Sequence, residues 1–218
     1  MGTRSRLAAS HAPPDRDKSL QQYRARAARY DAELLPFEPL RQEAVARLEL
    51  RPGETVLDVG CGTGLSFAPL QERLGPQGHI VGIEQCPEMM ALARDRVHAS
   101  GWRRVTLLQA PAEEARWRGR ADAALFHFTH DILRQPAALD NTLAHLRPGA
   151  RVVATGLQWA PPWAWPVNLF VLGAASYSVT SFDGLAQPWC ALAERLEGFE
   201  VHATWMGGVF MASGFSPR

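Results

Sequence analysis

Residues 56–64 read Val56-Leu57-Asp58-Val59-Gly60-Cys61-Gly62-Thr63-Gly64, an apolar run broken by one carboxylate and followed by three glycines at alternate positions. Val56, Leu57 and Val59 are the branched apolar residues of a strand covered on both faces. Gly60, Gly62 and Gly64 let a ligand lie against bare backbone, and the next apolar, helix-like run starts at Leu65. A dinucleotide fingerprint needs a third glycine three positions after Gly62. Leu65 stands there, so the spacing is G-x-G-x-G and a pyrophosphate is disfavoured. A Walker loop also fails, because no Gly-Lys-Ser/Thr follows. Asp58, at the strand end, would repel a diphosphate and suits a ligand carrying an ammonium or another cation.

The second half of a nucleoside site lies downstream. His79 to Ile83 reads as the next strand and ends at Glu84, with Gln85 beside it, about twenty residues past the last loop glycine, where a doubly wound fold places its ribose-binding acid. A carboxylate there accepts from both ribose hydroxyls, although Glu84 also has the chemistry to cap the helix starting near Pro87.

The glycine loop, Glu84 and the helix start from Pro87 to Ala93 together resemble the class I S-adenosylmethionine-dependent methyltransferases. The resemblance covers about Tyr23 to the C-terminus. It is closest to the small-molecule and lipid methyltransferases that carry a Tyr-Asp pair ahead of the core, here Tyr30-Asp31. It implies S-adenosylmethionine as cofactor, with its methionine part on the loop from Gly60 through Cys61 and Gly62 to Gly64, Asp58 near its ammonium and Glu84 on its ribose. Tyr30 resembles the aromatic that closes over the cofactor in relatives, and a core role in its helix is the alternative. Where the family often carries an Asp near the adenine, this chain has Pro111, so adenine contacts fall to the backbone at Ala112 or to Glu113.

The 218 residues, 46% of them hydrophobic, suffice for one α/β core and are too few for two ordinary domains. The 23 Lys and Arg against 22 Asp and Glu give no global attraction to nucleic acid or anionic membrane. Cys61, Cys86 and Cys190 lack metal-like spacing and fit free thiols in the cytoplasm, with Cys61 a small packing residue under the cofactor rather than a nucleophile. Residues 1–18 read as a flexible tail without a signal peptide's apolar core. Residues 19–218 read as one methyltransferase domain opening with lid helices over about 19–50, where Leu40, Ala44, Val45 and Leu48 form a stripe.

Strands are expected at 56–59, 79–84, 105–109, 122–128 and 150–156, with helices at 65–74, 87–99 and 135–146 between them. Such alternation predicts a doubly wound, mostly parallel sheet. After a helix near 187–197, Val201 to Trp205 and Val209 to Ala212 flank Gly207-Gly208 as a tight antiparallel hairpin, closing a seven-stranded sheet. Residues 157–186 form a long insertion bearing Trp159, Trp163, Trp165, Phe170, Tyr177 and Phe182, the expected substrate cap. Its apolar run from Trp163 to Val179 falls short of a membrane span.

Methyl transfer from a sulfonium gains most from alignment and exclusion of water, and it requires no metal. A base is needed only when the acceptor arrives protonated. The fourth strand ends in Phe126-His127-Phe128-Thr129-His130-Asp131, and carboxyl ends of strands face the ligand crevice. His130, oriented by Asp131, is the favoured base; His127 is the other candidate and a further cofactor contact. The expected activity is methylation of a small, largely apolar or aromatic acceptor. Alternatives are methylation of a phospholipid amine, with Trp159, Trp163 or Trp165 facing an ammonium, and a relative that keeps the cofactor site without methylating. Nucleic acid is not expected as a partner. Peripheral membrane contact and the choice between monomer and homodimer stay open, since a Trp-rich surface serves either.

Overall fold

The computed structural model describes residues 15–26 and 29–218, and every absence noted below refers to these. The helices are α1 (Arg16–Arg26), α2 (Tyr30–Leu34), α3 (Glu38–Arg47), α4 (Phe67–Leu74), α5 (Pro87–Ala99), α6 (His130–Leu133), α7 (Pro136–Ala144), α8 (Trp165–Ser178) and α9 (Cys190–Ala193). The strands are β1 (Thr55–Val59), β2 (His79–Glu84), β3 (Val105–Gln109), β4 (Ala121–His127), β5 (Leu146–Leu157), β6 (Glu197–Thr204) and β7 (Val209–Phe215). They form one seven-stranded sheet in the order β3-β2-β1-β4-β5-β7-β6. The first five run parallel, while β7 is antiparallel to both β5 and β6. The expected doubly wound, mostly parallel sheet with a reversed C-terminal end is the fold observed.

Strand alternation divides the core into two layers. Leu57, Val59, Ile83 and Phe126 pack on one face, and Val56, Ile80 and Leu125 pack on the other against Ala44, Val45 and Phe67. Asp58 shares the parity of Val56, and His127 that of Leu125. Both therefore fall on the layer that carries α3. The reversal of strand order lies between β1 and β4, so the glycine loop after β1 and the segment after β4 meet at the carboxyl edge of the sheet.

Several boundaries differ from those expected. Residues 1–14 of the expected tail lie outside the described residues, and Arg16 to Lys18 already belong to α1. The helix expected from Leu65 starts at Phe67, because the turn continues through Gly64, whose φ of 77° is left-handed. β5 starts at Leu146 and β6 at Glu197, four residues earlier than expected in each case, and the helix expected at 187–197 shrinks to α9. The hairpin turn is wider than a Gly-Gly turn, with Trp205 and Met206 at φ 49° and 52°. The two glycines serve close packing. A Cβ on Gly207 would stand 2.6 Å from Pro161, and one on Gly208 2.5 Å from Val167, so they let the insertion lie against the hairpin.

Candidate active site

Backbone hydrogen bonds fix the loop after β1 to itself and to β2. The N–H groups of Gly60 and Cys61 donate to the Ile83 carbonyl at 2.8 and 2.9 Å, and Gly64 N–H donates to the Cys61 carbonyl at 2.9 Å. Gly62 N–H donates to Glu84 Oε2 at 3.0 Å, and Cys86 N–H donates to Glu84 Oε1 at 2.7 Å. Glu84 thus joins the glycine loop to the start of α5. Each carboxylate oxygen keeps a second lone pair for a ligand hydroxyl. Burial pushes the Glu84 carboxyl up, and the backbone donors of Cys86 and Gly62 pull against that.

Gly60 has no room for a side chain. At its φ of 73°, a Cβ would stand 2.6 Å from Thr129 Cγ2 and 2.9 Å from Ile132 Cδ1. Tyr30 covers the loop from above, its Cε1 lying 3.5 Å from where a Gly62 Cβ would be. Next to it, Asp31 accepts from Thr63 Oγ1 at 2.6 Å and is paired with Arg96, which also donates to the Thr63 carbonyl at 2.8 Å. α1 spans the opening by polar contacts. Lys18 Nζ donates to the Thr180 carbonyl at 2.8 Å, and Arg24 pairs with Glu88 at 3.1 Å.

These elements border a cleft that opens to solvent. Of the residues expected at the site, Tyr30, Gly60, Gly62, Glu84, Gln85, Ala112, Glu113, His130 and Asp131 line it. Asp58, Cys61, Gly64 and His127 do not. Cys61 is buried and lies against the backbone of Gly82, and burial pushes its thiol up, which fits a packing role. Gly64 is needed because a Cβ there would meet the Phe67 ring at 2.5 Å.

Asp58 lies beneath the cleft, 1% exposed, with Oδ2 lacking a partner. Burial raises its carboxyl to about 7; Arg41 works against this and Glu84 adds to it. Arg41, on α3 and 2% exposed, was not expected from the sequence. It stands in register with Ala44, Val45 and Leu48, the very stripe that marks the buried face, and a cation in such a stripe is the signal that would have found it. Arg41 also bears on His127, which burial holds at about 3 with Nε2 unpartnered. His127 is therefore a neutral, partly buried group on the α3 layer and does not line the cleft.

Asp131 does not orient His130, as was expected. Its carboxylate accepts from Thr180 N–H at 3.3 and 3.4 Å and so anchors the end of the insertion. The imidazole is held by Asp183, whose carbonyl accepts from Nε2 at 3.1 Å. Nor do Trp163 and Trp165 of the insertion form a pocket wall, since they are 72% and 65% exposed, whereas Trp159 is partly buried beside Phe182. The side chain of Tyr177 lies outside the described ones. Phe128, Thr129, Ile132 and Gln135 line the cleft without having been expected there. The left-handed φ of Phe128, 57°, is visible only in three dimensions.

Residues 56–149 match the family described as "Methyltransferase domain", a span that holds the glycine loop, Glu84 and His130. Residues 56–149 are thus a methyltransferase domain of the class I S-adenosylmethionine-dependent type. The cofactor that goes with this domain is S-adenosylmethionine. The chain is 30% identical over 106 residues to a protein-L-isoaspartate O-methyltransferase of Methanothrix thermoacetophila, covering 49% of each protein. It is 38% identical over 77 residues to aklanonic acid methyltransferase DauC of a Streptomyces species, covering 35% of each. The chain thus spans half or less of the length of the curated relatives it matches. Its fold is shared with the N-methyltransferase NodS from Bradyrhizobium japonicum solved with S-adenosyl-L-homocysteine, at a TM-score of 0.65 and 19% identity over 92% of this chain and 99% of that one.

The residues present fit the cofactor. An adjacent acid with spare lone pairs suits a ribose, the side-chain-free backbone of Gly60 and Gly62 at the cleft suits a ligand lying on backbone, and an unpartnered buried carboxylate oxygen suits an ammonium.

Proposed function

We propose that this methyltransferase transfers a methyl group from S-adenosylmethionine to a small, largely apolar acceptor. The observation that carries this is Glu84, one carboxylate bonded to both the glycine loop and the α5 start where they line the cleft. When bound, S-adenosylmethionine supplies a methyl group made electrophilic by a sulfonium.

The chain's own residues divide the work. Glu84 holds the ribose, with Gln85 beside it. The bare faces of Gly60 and Gly62 carry the methionine part, and Asp58 draws its ammonium from below. Ala112 and Glu113 border the adenine, and Tyr30 closes over the loop. Cys61 and Gly64 shape the loop from behind. His130 lies where the cleft ends and takes the acceptor's proton. Similarity to an aklanonic acid methyltransferase supports a small-molecule acceptor, and exposure of Trp163 and Trp165 leaves Trp159 alone of the three tryptophans to face a phospholipid amine. Three unpaired cysteines support a cytoplasmic address. No described helix is long and apolar enough to cross a membrane. If the protein docks on a bilayer or on a copy of itself, the exposed outer face of α8, with Trp165, Leu169 and Leu172, is the surface offered.

Calorimetry with S-adenosylmethionine and S-adenosyl-L-homocysteine tests the cofactor site directly. Both should bind, and Glu84→Gln should weaken both by about tenfold or more, the cost of losing charge-assisted hydrogen bonds. Absence of heat with either ligand would refute the assignment.

A further inference from the structure

One face of α8 is covered and the other is open. Val171 and Ala175 are buried in a cluster with Leu40, Leu157 and Val209, while Trp165, Leu169 and Leu172 on the same helix are exposed. The open face continues onto the turn Trp205–Gly207 between β6 and β7, where Trp205 and Met206 are exposed as well and the Trp205 ring lies 6.3 Å from that of Phe170 on α8. Trp205 and Met206 both hold a left-handed φ, 49° and 52°, which bulky residues adopt only where their surroundings force it. Strain is thus kept at the two residues that hold apolar side chains outward.

This face carries no charge and asks for little hydrogen bonding. Residues 152–182 and 203–217 contain no Asp, Glu, Lys, Arg or His, in a chain that is 21% charged. A helix bordering water keeps polar and charged residues on its outer side, and one that is apolar all round is a buried helix. The described polar side chains of α8 are turned onto nearby backbone. Asn168 accepts from Ala160 N–H at 2.8 Å and donates to the Ala160 carbonyl at 3.1 Å, Ser176 donates to the Leu172 carbonyl at 2.6 Å, and Ser178 donates to the Ala174 carbonyl at 2.9 Å. What the exposed large side chains offer for hydrogen bonding is the indole N–H of Trp163, Trp165 and Trp205.

These properties select the occupant. A protein interface forms about one hydrogen bond per 100–200 Å² within a polar rim, and the exposed side chains here supply neither the acceptors nor the charges for that. Hydrocarbon asks for none, and tryptophan is enriched where hydrocarbon meets headgroups. An anionic membrane would call for basic residues beside the apolar ones; both segments lack them, so neutral headgroups fit. With 14 residues α8 is about 21 Å long, enough to lie in the interface and too short to span it. The face also leads to the site. The Trp205 ring stacks on Phe37 at 5.3 Å, Phe37 meets Phe128 edge-on at 5.0 Å, and Phe128 lines the cleft. A second copy seated on Trp205 would close that aromatic path, whereas a bilayer would both cover the face and hold apolar molecules at its end.

Resting on the function proposed above for the apolar character of the acceptor, we infer that the face made by α8 and the Trp205–Gly207 turn docks on a bilayer of neutral lipid. Docking sets the path from Trp205 through Phe37 to Phe128 against the lipid that dissolves the acceptor. The protein docks as a monomer, with α8 lying in the plane of the interface. Burial of apolar area drives the binding, so it is insensitive to salt and to headgroup charge.

The test uses the full chain without donor and vesicles of phosphatidylcholine, alone or mixed with phosphatidylglycerol. The protein should float with both to the same extent in low and high salt. Lipids brominated along the acyl chain should quench its tryptophan fluorescence, and Trp165→Phe and Trp205→Phe should each remove part of that quenching. Trp165→Lys and Leu169→Lys should each lower vesicle affinity by about tenfold or more, the change expected on withdrawing one large side chain from hydrocarbon, while the melting temperature holds. Met206→Lys, on the neighbouring turn, serves as a further variant should the helix variants fail to fold. Sedimentation without vesicles should find a monomer. Failure to float with phosphatidylcholine overturns the inference, as does binding that needs phosphatidylglycerol and is lost in salt, or a dimer in solution that Leu169→Lys dissociates. Donor binding is measured separately: vesicles bound without any donor binding would strike only the function proposed above, and donor bound without vesicle binding would strike only the docking.

Discussion

The hydroxyl of Thr63, inside the glycine loop, donates to the carboxylate of Asp31 at 2.6 Å, so the lid helix α2 is clamped to the loop it covers. Arg96 completes the clamp by binding both Asp31 and the Thr63 carbonyl. The lid and the loop thus close together. Asp31→Ala leaves Arg96 without its carboxylate and frees Tyr30 to swing away. S-adenosyl-L-homocysteine should then dissociate faster, with affinity reduced by about tenfold, the worth of one charge-assisted bond. Stopped-flow displacement measures this, and an unchanged dissociation rate would show that the clamp does not govern closure.

Binding of the donor should depend on pH through Asp58. With its carboxyl near 7, Asp58 is protonated in the free protein at pH 6 and must ionise to meet an ammonium. Affinity should fall by about tenfold per unit below pH 7 and level off above it. Arg41 and Glu84 are the charged neighbours that set this value. Titrations in buffers of different ionisation enthalpy should show one proton released near pH 6, and Asp58→Asn should remove both the release and the slope.

Gly60 and Gly53 separate backbone strain from close approach. Both have positive φ, 73° and 88°, but a Cβ at Gly53 would meet nothing within 4 Å while one at Gly60 would strike Thr129. Gly53→Ala should cost about 1–2 kcal/mol, the left-handed penalty alone. Gly60→Ala should cost more and should also abolish donor binding. Thermal melts and calorimetry on the pair decide this; equal effects on binding would mean that Gly60 does not border the ligand.

Asp58 and His127 pull stability in opposite directions with pH. His127 is depressed from 6.5 to about 3, so its contribution is full above pH 6.5 and is lost as pH falls toward 3. Asp58 is raised from 3.8 to about 7, so its contribution is full below pH 3.8 and is lost as pH rises through 7. Between about pH 4 and 6.5 the two oppose each other. Asp58→Asn should therefore destabilise more steeply with acid than the parent chain, and His127→Phe less steeply, in urea melts across that window.

The outer face of α8 should tolerate charge. Trp165 and Leu169 are 65% and 60% exposed, and replacing them with Lys should change stability by less than about 0.5 kcal/mol and leave donor affinity unchanged. A large loss in either would return these side chains to the pocket wall that the sequence suggests.

The glycine loop, Glu84 and the run of strands were legible because each depends on local rules. Alternating glycines can be recognised by spacing, and parallel strands buried on both faces are continuous apolar runs. His127 and His130 were not separable in the same way, since neither the end of β4 nor the turn at Phe128 has a local signature. Arg41 was hidden for a related reason, because a charge within an apolar stripe reads as its edge until the partner beneath it is known.

By itself the sequence determined a methyl-donor fold with a bare-backbone loop and an acid one strand over, since short-range sterics and hydrophobic periodicity are written residue by residue. Only the tertiary structure decided which histidine meets the cleft, which cation underlies Asp58 and where the insertion turns its tryptophans. Those outcomes depend on strand parity, on helices packed from distant parts of the chain and on which buried polar atoms are left without a partner, and none of these is a property of neighbouring residues.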